Sequence, residues 1–224
     1  MPTAVVFDLD GTLVDSLRDI ARAANAVLGR FGFPPHPEGA YRRFVGDGME
    51  MLVRRIVPPG RAEDDVARVL AALRDEYRRR SLETTRPYPG VPELLDGLVA
   101  RGVPFAVVTN KPHEPAEEMV RALLGPWPFR AVIGAGPDTP RKPDPTGALR
   151  AARILEVRPK DCLYLGDTAT DMETARAAGM VPVGALWGFR DETELRAAGA
   201  VHLLARPEDL LALLDGARPA GEAP

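Results

Sequence analysis

Five short apolar runs alternate with helical segments along most of the chain, and this alternation limits the fold more than any other feature. The runs are AVVFD, PFAVVTN, AVIGAG, CLYLGD and VPVGAL, each bounded by turn residues. Segments between them, such as PELLDGLVARG and GALRAARILEV, repeat apolar residues at helical spacing. Strands that alternate with helices build a mainly parallel sheet with helices on its faces. The sequence therefore predicts an α/β core.

The region from residue 16 to residue 86 interrupts this alternation. It contains no convincing strand but three amphipathic segments, DIARAANAVLGRFG, YRRFVGDGMEMLVRRIV and DDVARVLAALRDEYRRR. The proline-rich joint RPYPGVP that follows cannot extend a helix. We therefore expect a helical domain at 16–86, inserted into a core formed by 1–15 and 87–215. The tail 216–224, GARPAGEAP, is rich in Gly, Ala and Pro and is expected to be disordered.

The composition argues against several classes of protein. At 224 residues, with a single cysteine, the chain can bury a core without disulfide bonds. Its net charge of -3 comes from well-mixed acids and arginines, so a nucleic acid is not expected as a partner. No window is apolar enough for a membrane helix, and the N-terminus does not resemble a signal peptide. We therefore expect a cytoplasmic monomer or homodimer that does not bind membranes.

Two carboxylates, Asp8 and Asp10, lie where the first apolar run ends. Successive strand side chains point to opposite faces, so residues two apart share a face. Two such charges repel each other when unpaired, and proteins usually neutralise them with a hard divalent cation such as magnesium. An isolated DxD pattern also fits a solvated turn, so the pair gains weight only from what the other strand ends hold.

Polar residues also follow other predicted strands. Asp167 ends one run and Asp171 follows one helical turn later, so both can face one point; an N-cap with a first-turn acid is the alternative. Thr109 and Asn110 place a hydroxyl and backbone amides at another strand end. Lys142 lies in the proline-stiffened loop RKPDP, in a chain with only three lysines. Because ligands gather outside the carboxyl ends of parallel strands, these residues define one candidate site.

Four elements in this order, DLDGT, VVTN, the lysine of RKPDP and GDTATD, resemble the four motifs of the haloacid dehalogenase (HAD) superfamily. Within it, VGDG, YPGV, VTNKP, WGFR and AAGAVHLL resemble segments of phosphoglycolate phosphatases. The resemblance spans nearly the whole chain. It implies a Rossmann-like, HAD-like parallel-sheet core with a helical cap domain inserted after the first strand.

The resemblance also implies the roles of a phosphomonoester hydrolase. Asp8 would attack phosphorus and form an aspartyl-phosphate, which divides one difficult hydrolysis into two easier steps. Asp10 would protonate the leaving alkoxide and then take a proton from the attacking water. Thr109, the Asn110 amide and Lys142 would hold the phosphoryl oxygens and offset charge in the transition state.

Magnesium is the cofactor that the resemblance implies. Asp8, the Asp10 carbonyl and Asp167 would bind it, so that the metal shields the phosphate from the carboxylates. Asp171 would complete the metal site through water, or would orient Lys142.

Substrate choice would depend on the cap. Arg42 and Arg43 of YRRFVGDG lie beside a glycine-containing turn, and an arginine there is suited to bind a substrate carboxylate bidentately. An exposed helix face is the alternative for at least one of them. Family analogy favours 2-phosphoglycolate as the small phosphorylated substrate, while nucleotides, sugar phosphates and pyrophosphate stay open.

Other activities can be tested against single residues. Haloacid dehalogenases lack the acid/base aspartate that Asp10 provides, and phosphonoacetaldehyde hydrolases need a cap lysine, whereas the first lysine here is Lys111. A mutase similar to β-phosphoglucomutase keeps the same core and stays open. A phospho-accepting, receiver-like signalling module and a catalytically inactive interaction protein are more distant alternatives. A receiver is much shorter and carries neither a helical cap nor DxDGT.

Overall fold

Eight strands lie within residues 2–216, the part of the chain that the computed structural model describes. They are β1 (Ala4–Phe7), β2 (Val14–Asp15), β3 (Arg86–Pro87), β4 (Phe105–Pro112), β5 (Val132–Ala135), β6 (Cys162–Gly166), β7 (Val181–Ala185) and β8 (His202–Leu204). Six of them form one sheet in the order β5-β4-β1-β6-β7-β8, and all neighbours in it are parallel. The predicted α/β class is confirmed.

Ten α-helices accompany these strands in the same part of the chain. They are α1 (Leu17–Arg30), α2 (Tyr41–Phe44), α3 (Met49–Ile56), α4 (Glu63–Arg80), α5 (Val91–Ala100), α6 (His113–Leu124), α7 (Thr146–Ile154), α8 (Ala169–Ala177), α9 (Glu192–Ala197) and α10 (Asp209–Leu214). We call α1–α4 the cap helices; the other six pack with the sheet. Every helix between residues 2 and 216 is too short or too polar to span a membrane.

The sheet is buried on both faces because its central strands are continuously apolar. All four residues of β1 are buried, and alternate side chains point to opposite faces. Val5 and Phe7 join the apolar cluster on one face, while Ala4 and Val6 join the cluster on the other. Burial on two sides explains why the run shows no polar alternation. The residue that follows β1 therefore emerges at the centre of the sheet, at its carboxyl edge.

The cap helices bury an apolar cluster of their own, to which all four contribute. Val27 of α1 and Val69 of α4 are fully buried within it, since these two long helices pack against each other. Both connections between the cap helices and the sheet pass through one short antiparallel ribbon, in which β2 pairs with β3. The chain thus passes between the cap helices and the sheet at this ribbon, while side chains of the two parts also contact each other elsewhere.

The structure differs from the predicted elements in three places. The middle amphipathic segment forms two helices, α2 and α3, because Gly46 and Gly48 between them adopt φ values of +123° and +86°. The ribbon of β2 and β3 and the edge strand β8 were not predicted, since runs of two or three residues carry too little periodicity.

The predicted division into domains at 16–86 stays a prediction. The predicted disordered tail lies outside the described residues from position 217 onward.

Candidate active site

The predicted core residues meet at the carboxyl edge of the sheet because three adjacent strands end there. Asp8 directly follows β1, Asp167 directly follows β6, and Thr109 and Asn110 lie in the second half of β4. Since β1 is hydrogen-bonded between β4 and β6, these three segments end side by side. Lys142 reaches them from the loop between β5 and α7.

Three buried carboxylates, Asp8, Asp167 and Asp171, converge at this edge, with one oxygen of each within 4.8 Å of the others. We call them the acidic cluster. The buried Lys142 ammonium lies 2.8 Å from Asp8 Oδ1 and 2.5 Å from Asp171 Oδ1. Only the contact with Asp171 has hydrogen-bond geometry, so Asp8 Oδ1 receives no hydrogen bond from residues 2–216. The Lys142 ammonium thus contacts two of the three carboxylates of the acidic cluster.

Burial and mutual repulsion change the proton affinities in this cluster. Burial, followed by repulsion from Asp171, raises the pKa of Asp8 to about 7 although Lys142 opposes the rise. Burial and the charges of Asp171 and Asp8 raise the pKa of Asp167 well above its usual range. Burial acts to lower the pKa of Lys142, but the neighbouring carboxylates outweigh it and raise that pKa, so the lysine stays cationic. One lysine does not offset the three acids.

The acidic cluster fits a hard divalent cation. Carboxylate oxygens are the donors that Mg²⁺ prefers, and Asp8 Oδ1 is a buried oxygen that no donor of the described chain satisfies. A doubly charged ion here would relieve the repulsion that raises the pKa values of Asp8 and Asp167. Asp8, Asp167 and Asp171 are therefore candidate side-chain ligands, whereas the Asp10 carboxylate lies outside the cluster.

Asp167 is fixed in place by two loops, one that follows β1 and one that follows β7. Thr12 Oγ1 donates to its Oδ1 at 2.9 Å, and the Phe189 amide donates to its Oδ2 at 2.8 Å. Gly11 packs so closely that a Cβ there would lie 2.3 Å from Asp167 Oδ2, and its φ of +90° is one that glycine adopts readily. Gly11, the glycine of DLDGT, therefore lets the loop after β1 pack closely against Asp167 at the end of β6.

Asp171 combines the two roles that the sequence leaves open. It is the third residue of α8, and its Oδ2 accepts hydrogen bonds from the Thr168 amide at 3.1 Å and the Thr168 hydroxyl at 2.7 Å. Such contacts cap the start of a helix. Its Oδ1 accepts from Lys142 Nζ at 2.5 Å. The same carboxylate thus begins the helix and orients the lysine.

The end of β4 contacts the cap and holds the loop between β5 and α7 that carries Lys142, which we call the lysine loop. Asn110 Oδ1 accepts from the Lys142 amide at 2.7 Å, while Asn110 Nδ2 donates to the Gly46 carbonyl at 3.0 Å. Thr109 Oγ1 accepts from the Lys111 amide at 3.2 Å. Thr109 and Asn110 are both buried, so the site is shielded from solvent on this side.

Asp10 turns its carboxylate away from the acidic cluster. Ser16 Oγ donates to Asp10 Oδ1 at 2.6 Å, and Lys111 Nζ donates to both carboxylate oxygens at 3.0 and 2.9 Å. Lys111 also donates to the Tyr77 hydroxyl of α4 at 2.9 Å. The sequence prediction includes neither Lys111 nor Tyr77. Two signals were available: Lys111 is one of three lysines and directly follows Asn110, and it lies in the segment VTNKP that resembles phosphoglycolate phosphatases.

A cavity of about 840 Å³ lies between the cap helices and this edge of the sheet. Asp8, Asp10, Thr109 and Asn110 are among its lining residues. Four arginines also line it: Arg74 and Arg78 of α4, Arg121 of α6, and Arg141 of the lysine loop. A ligand in the cavity thus meets carboxylates at the edge of the sheet and arginines from both the cap helices and the sheet side.

The two predicted cap arginines, Arg42 and Arg43, are not among the residues that line this cavity, and their role in substrate binding stays a prediction. Arg42 donates to the Gly188 carbonyl at 2.7 Å, so its guanidinium is engaged by the loop after β7. Arg43 lies in a separate surface depression beside Asp47 and Arg190. The short helix α2 packs its turn onto the sheet domain, and this packing directs both side chains away from the acidic cluster.

Comparisons with known proteins identify the class to which this fold and site belong, a hydrolase of the phosphatase class. Residues 5–185 match the family of haloacid dehalogenase-like hydrolases, to which the chain therefore belongs. The chain is 37% identical to a phosphoglycolate phosphatase of Pseudomonas putida, over 96% of this chain and 80% of that protein. It is 32% identical to one of Aquifex aeolicus, over 94% and 96% of the two chains.

Solved structures show the same relationship. The crystal structure of a proposed phosphoglycolate phosphatase from Lactobacillus delbrueckii subsp. bulgaricus matches with a TM-score of 0.91 and 28% identity, over 96% of this chain and 99% of that one. A haloacid dehalogenase-like hydrolase of Streptococcus pneumoniae matches with a TM-score of 0.86 and 25% identity, over 95% and 98%. These neighbours cover the cap helices as well as the sheet, because nearly the whole chain is matched.

Proposed function

We propose that the protein is a magnesium-dependent phosphomonoesterase that acts through an aspartyl-phosphate on Asp8, with 2-phosphoglycolate as its substrate. The observation that carries the proposal is a buried carboxylate, Asp8, that lines the cavity beside Lys142 and two further carboxylates. The curated relatives of Pseudomonas putida and Aquifex aeolicus, both named phosphoglycolate phosphatases, support the choice of substrate.

Asp8 supplies the nucleophile. One of its oxygens attacks phosphorus as the bond to the leaving oxygen breaks, and water later attacks the same phosphorus and restores the carboxylate. The attack requires ionised Asp8, and the Lys142 ammonium 2.8 Å away lowers the pKa that burial raises. Lys142 therefore favours the reactive form of the nucleophile.

Asp10 serves as acid and base. It follows the nucleophile by two residues and lines the same cavity, where in its protonated form it would give that proton to the leaving alkoxide and become a carboxylate. It would then take a proton from the water that attacks the phosphoryl group. Departure of an aliphatic alkoxide without a proton is slow, so Asp10 matters most for substrates with poor leaving groups.

The phosphoryl oxygens would be held by Thr109, the Asn110 amide and Lys142. Thr109 and Asn110 line the cavity, and Asn110 fixes the backbone of Lys142 through a hydrogen bond of 2.7 Å. Donors fixed in advance stabilise the charge of the transition state without reorganising during the reaction. The buried positions of all three side chains support this role.

Asp8, Asp167 and Asp171 would hold magnesium, together with the backbone carbonyl of Asp10. When bound, the ion supplies positive charge that shields the phosphoryl group from the carboxylates. Thr12 and the Phe189 amide keep Asp167 oriented for this purpose.

Magnesium is expected to stabilise the protein more at about pH 8 than at about pH 5. The folded-state pKa of Asp8, about 7, lies above its ordinary value of 3.8, so the metal-free protein loses stability as pH rises through about 7. Ions at about a hundredfold excess over Kd add about 2.7 kcal/mol, or ~5–10 °C in Tm. Thermal melts with magnesium and with chelator measure both effects.

Two variants sharpen this experiment. Asp167→Asn is expected to lose most of the magnesium shift, because it removes a buried candidate ligand. Asp64→Asn, an exposed position in the first turn of α4, keeps it. Equal magnesium shifts at both pH values, or a full shift in Asp167→Asn, would contradict metal binding at the acidic cluster.

The arginines that line the cavity are better placed than Arg42 and Arg43 to bind a substrate carboxylate. Arg74 from α4 and Arg121 from α6 approach it from the cap and from the sheet domain. Arg78 pairs with Asp75 at 3.5 Å, and Arg141 with Glu50 at 3.6 Å, so these two are already engaged by acids. We therefore assign carboxylate recognition to Arg74 and Arg121.

At least one of Arg74→Ala and Arg121→Ala is expected to lower kcat/KM for 2-phosphoglycolate about tenfold or more, since a charge-assisted hydrogen bond contributes about 1.5–3 kcal/mol. The loss on ethyl phosphate, which lacks the carboxylate, should stay below about twofold. Arg43→Ala, outside the cavity, serves as the control and should leave the ratio of the two substrates unchanged. Equal losses on both esters would mean that neither arginine recognises the carboxylate.

The proposed function as a whole is tested by phosphate release over many turnovers from a panel of phosphomonoesters and pyrophosphate. A lead of more than about tenfold for 2-phosphoglycolate, ~1.4 kcal/mol of discrimination, supports the substrate. Similar rates across the panel that vanish with chelator would keep the phosphatase and remove the substrate assignment. Conversion of a sugar phosphate to its isomer, without phosphate release, would favour the mutase.

A further inference from the structure

One peptide group of the loop after β7 lies between a cap arginine and a carboxylate of the acidic cluster. Its carbonyl belongs to Gly188 and accepts a hydrogen bond from Arg42 of α2 at 2.7 Å. Its N–H belongs to Phe189 and donates to Asp167 Oδ2 at 2.8 Å. We call it the 188–189 peptide. A guanidinium at the oxygen and a carboxylate at the N–H polarise the group in the same direction, so each hydrogen bond strengthens the other.

The 188–189 peptide packs directly against Asp167. Gly188 is buried, and a Cβ there would overlap Asp167 Cβ and the Gly11 carbonyl oxygen. The preceding residue, Trp187, donates from Nε1 to the Thr12 carbonyl at 3.0 Å. Thr12 Oγ1 in turn donates to the other carboxylate oxygen of Asp167. This loop therefore constrains Asp167 at both oxygens.

The same loop is anchored in the cap. The Phe189 ring is buried in the apolar cluster of the cap helices. Arg190 donates from Nη2 to the Val45 carbonyl at 2.8 Å, and from Nη1 to the Arg42 carbonyl. Arg42 and Arg190 thus each bind the backbone beside the other, which holds the Arg42 guanidinium at Gly188. The packing of α2 on the sheet domain therefore fixes the peptide that holds Asp167.

These contacts give Arg42 a target other than a substrate carboxylate, because its guanidinium donates to a backbone carbonyl. A carboxylate that is already oriented loses less freedom when a cation binds, so the groups that orient a ligand contribute to metal affinity. Removal of such an outer partner typically costs about 10–100-fold in affinity or activity.

We propose that Arg42 is a positioning residue of the cation site, which orients Asp167 through the 188–189 peptide and thereby raises the affinity of the acidic cluster for magnesium. The inference rests on the proposed function, in which Asp167 is a ligand of the ion. Because a coupling between two equilibria is reciprocal, the bound ion also holds α2 on the sheet domain.

Calorimetric titration of the chelator-treated protein with magnesium chloride, at about pH 8, measures the affinity without turnover. Arg42→Ala is expected to raise the Kd for magnesium about tenfold, at the lower end of the effect of an outer partner. Arg42→Lys keeps a cationic donor and should bring the Kd to within about threefold of the wild-type value. Recovery by lysine distinguishes positioning from a general loss of packing.

Matched variants control for charge and for the cap cluster. Arg43→Ala removes the next arginine of α2, which is exposed, and should change the Kd by less than about twofold. Phe189→Ala keeps the amide but withdraws the ring from the cap cluster, and should raise the Kd about fivefold. Phe33→Ala removes a ring that packs on the same cluster beside Phe31, and should leave the Kd unchanged.

Hydrogen–deuterium exchange provides the reciprocal readout. In the wild type, magnesium should slow exchange of the backbone amides of residues 41–48 about threefold or more, because the bound ion favours the packed position of α2. In Arg42→Ala, magnesium should leave exchange in this segment unchanged. The helix α10, which packs on α5, serves as an internal reference in both proteins.

The outcomes separate this inference from the function on which it rests. Equal magnesium affinities in the wild type, Arg42→Ala and Phe189→Ala would overturn the positioning role while the phosphatase stands. An Arg43→Ala loss as large as that of Arg42→Ala would also overturn it, because the effect would then come from cap charge in general. A wild-type protein that binds no magnesium would overturn the proposed metal site and this inference with it. Arg42 is an exposed residue, so the test does not depend on Phe189→Ala folding normally.

Discussion

Asp8→Asn is expected to fold normally and to lose turnover by about 10⁴-fold or more, as removal of a nucleophile does in other hydrolases. An amide is a poor nucleophile, and no other carboxylate of the acidic cluster replaces it, because Asp167 is fixed by Thr12 and Asp171 by Lys142. Phosphate release from 2-phosphoglycolate in excess magnesium measures the loss.

Stability gives the same variant a second readout. Burial and Asp171 raise the pKa of Asp8 to about 7, so its ionised form destabilises the metal-free protein above that pH. Asn removes the charge, and the chelated variant should melt at or above the wild-type Tm at about pH 8. Asp64→Asn, exposed on α4, controls for the loss of one carboxylate. Turnover near that of the wild type in Asp8→Asn would remove Asp8 from the mechanism.

Those parts of the site that depend on local pattern could be predicted from the sequence. Asp8, Thr109 and Asp167 each end a buried apolar run, and the parallel order of a βα alternation places such ends at one edge. Their meeting therefore follows from strand period and sheet class alone. The sequence could not decide whether Asp171 caps the start of α8 or faces the site, because one carboxylate does both.

Other parts of the site depend on how the cap helices pack on the sheet, which no local pattern describes. Arg42 and Arg43 flank a plausible turn, yet the structure directs Arg42 to the Gly188 carbonyl, far along the chain. The contact of Lys111 with Tyr77 joins a residue of the sheet to a residue of the cap helices. Which side chains meet across an interface depends on how distant segments pack. The sequence therefore shows which residue types are present but not which of them are in contact.

Lys142→Met is expected to impair both stability and turnover, because it removes a buried cation that contacts the acidic cluster. Lys142 contacts Asp8 at 2.8 Å and Asp171 at 2.5 Å. Removal of one partner of a buried ion pair typically costs about 3–5 kcal/mol, since the other charge is left uncompensated. Loss of this proposed donor to the phosphoryl group is expected to lower kcat by a further ~10²–10³-fold.

The pH dependence separates this electrostatic cause from a loss of packing. Without Lys142, the pKa values of Asp8 and Asp167 rise further, so the destabilisation of metal-free Lys142→Met should be small at about pH 5 and should grow as pH rises through about 7. Magnesium should restore part of the Tm, because it supplies positive charge, but not the turnover. Lys160→Met, at an exposed position, should show neither effect. A methionine of similar length leaves the apolar contacts of the lysine stem in place, so a destabilisation independent of pH would contradict the electrostatic role of Lys142.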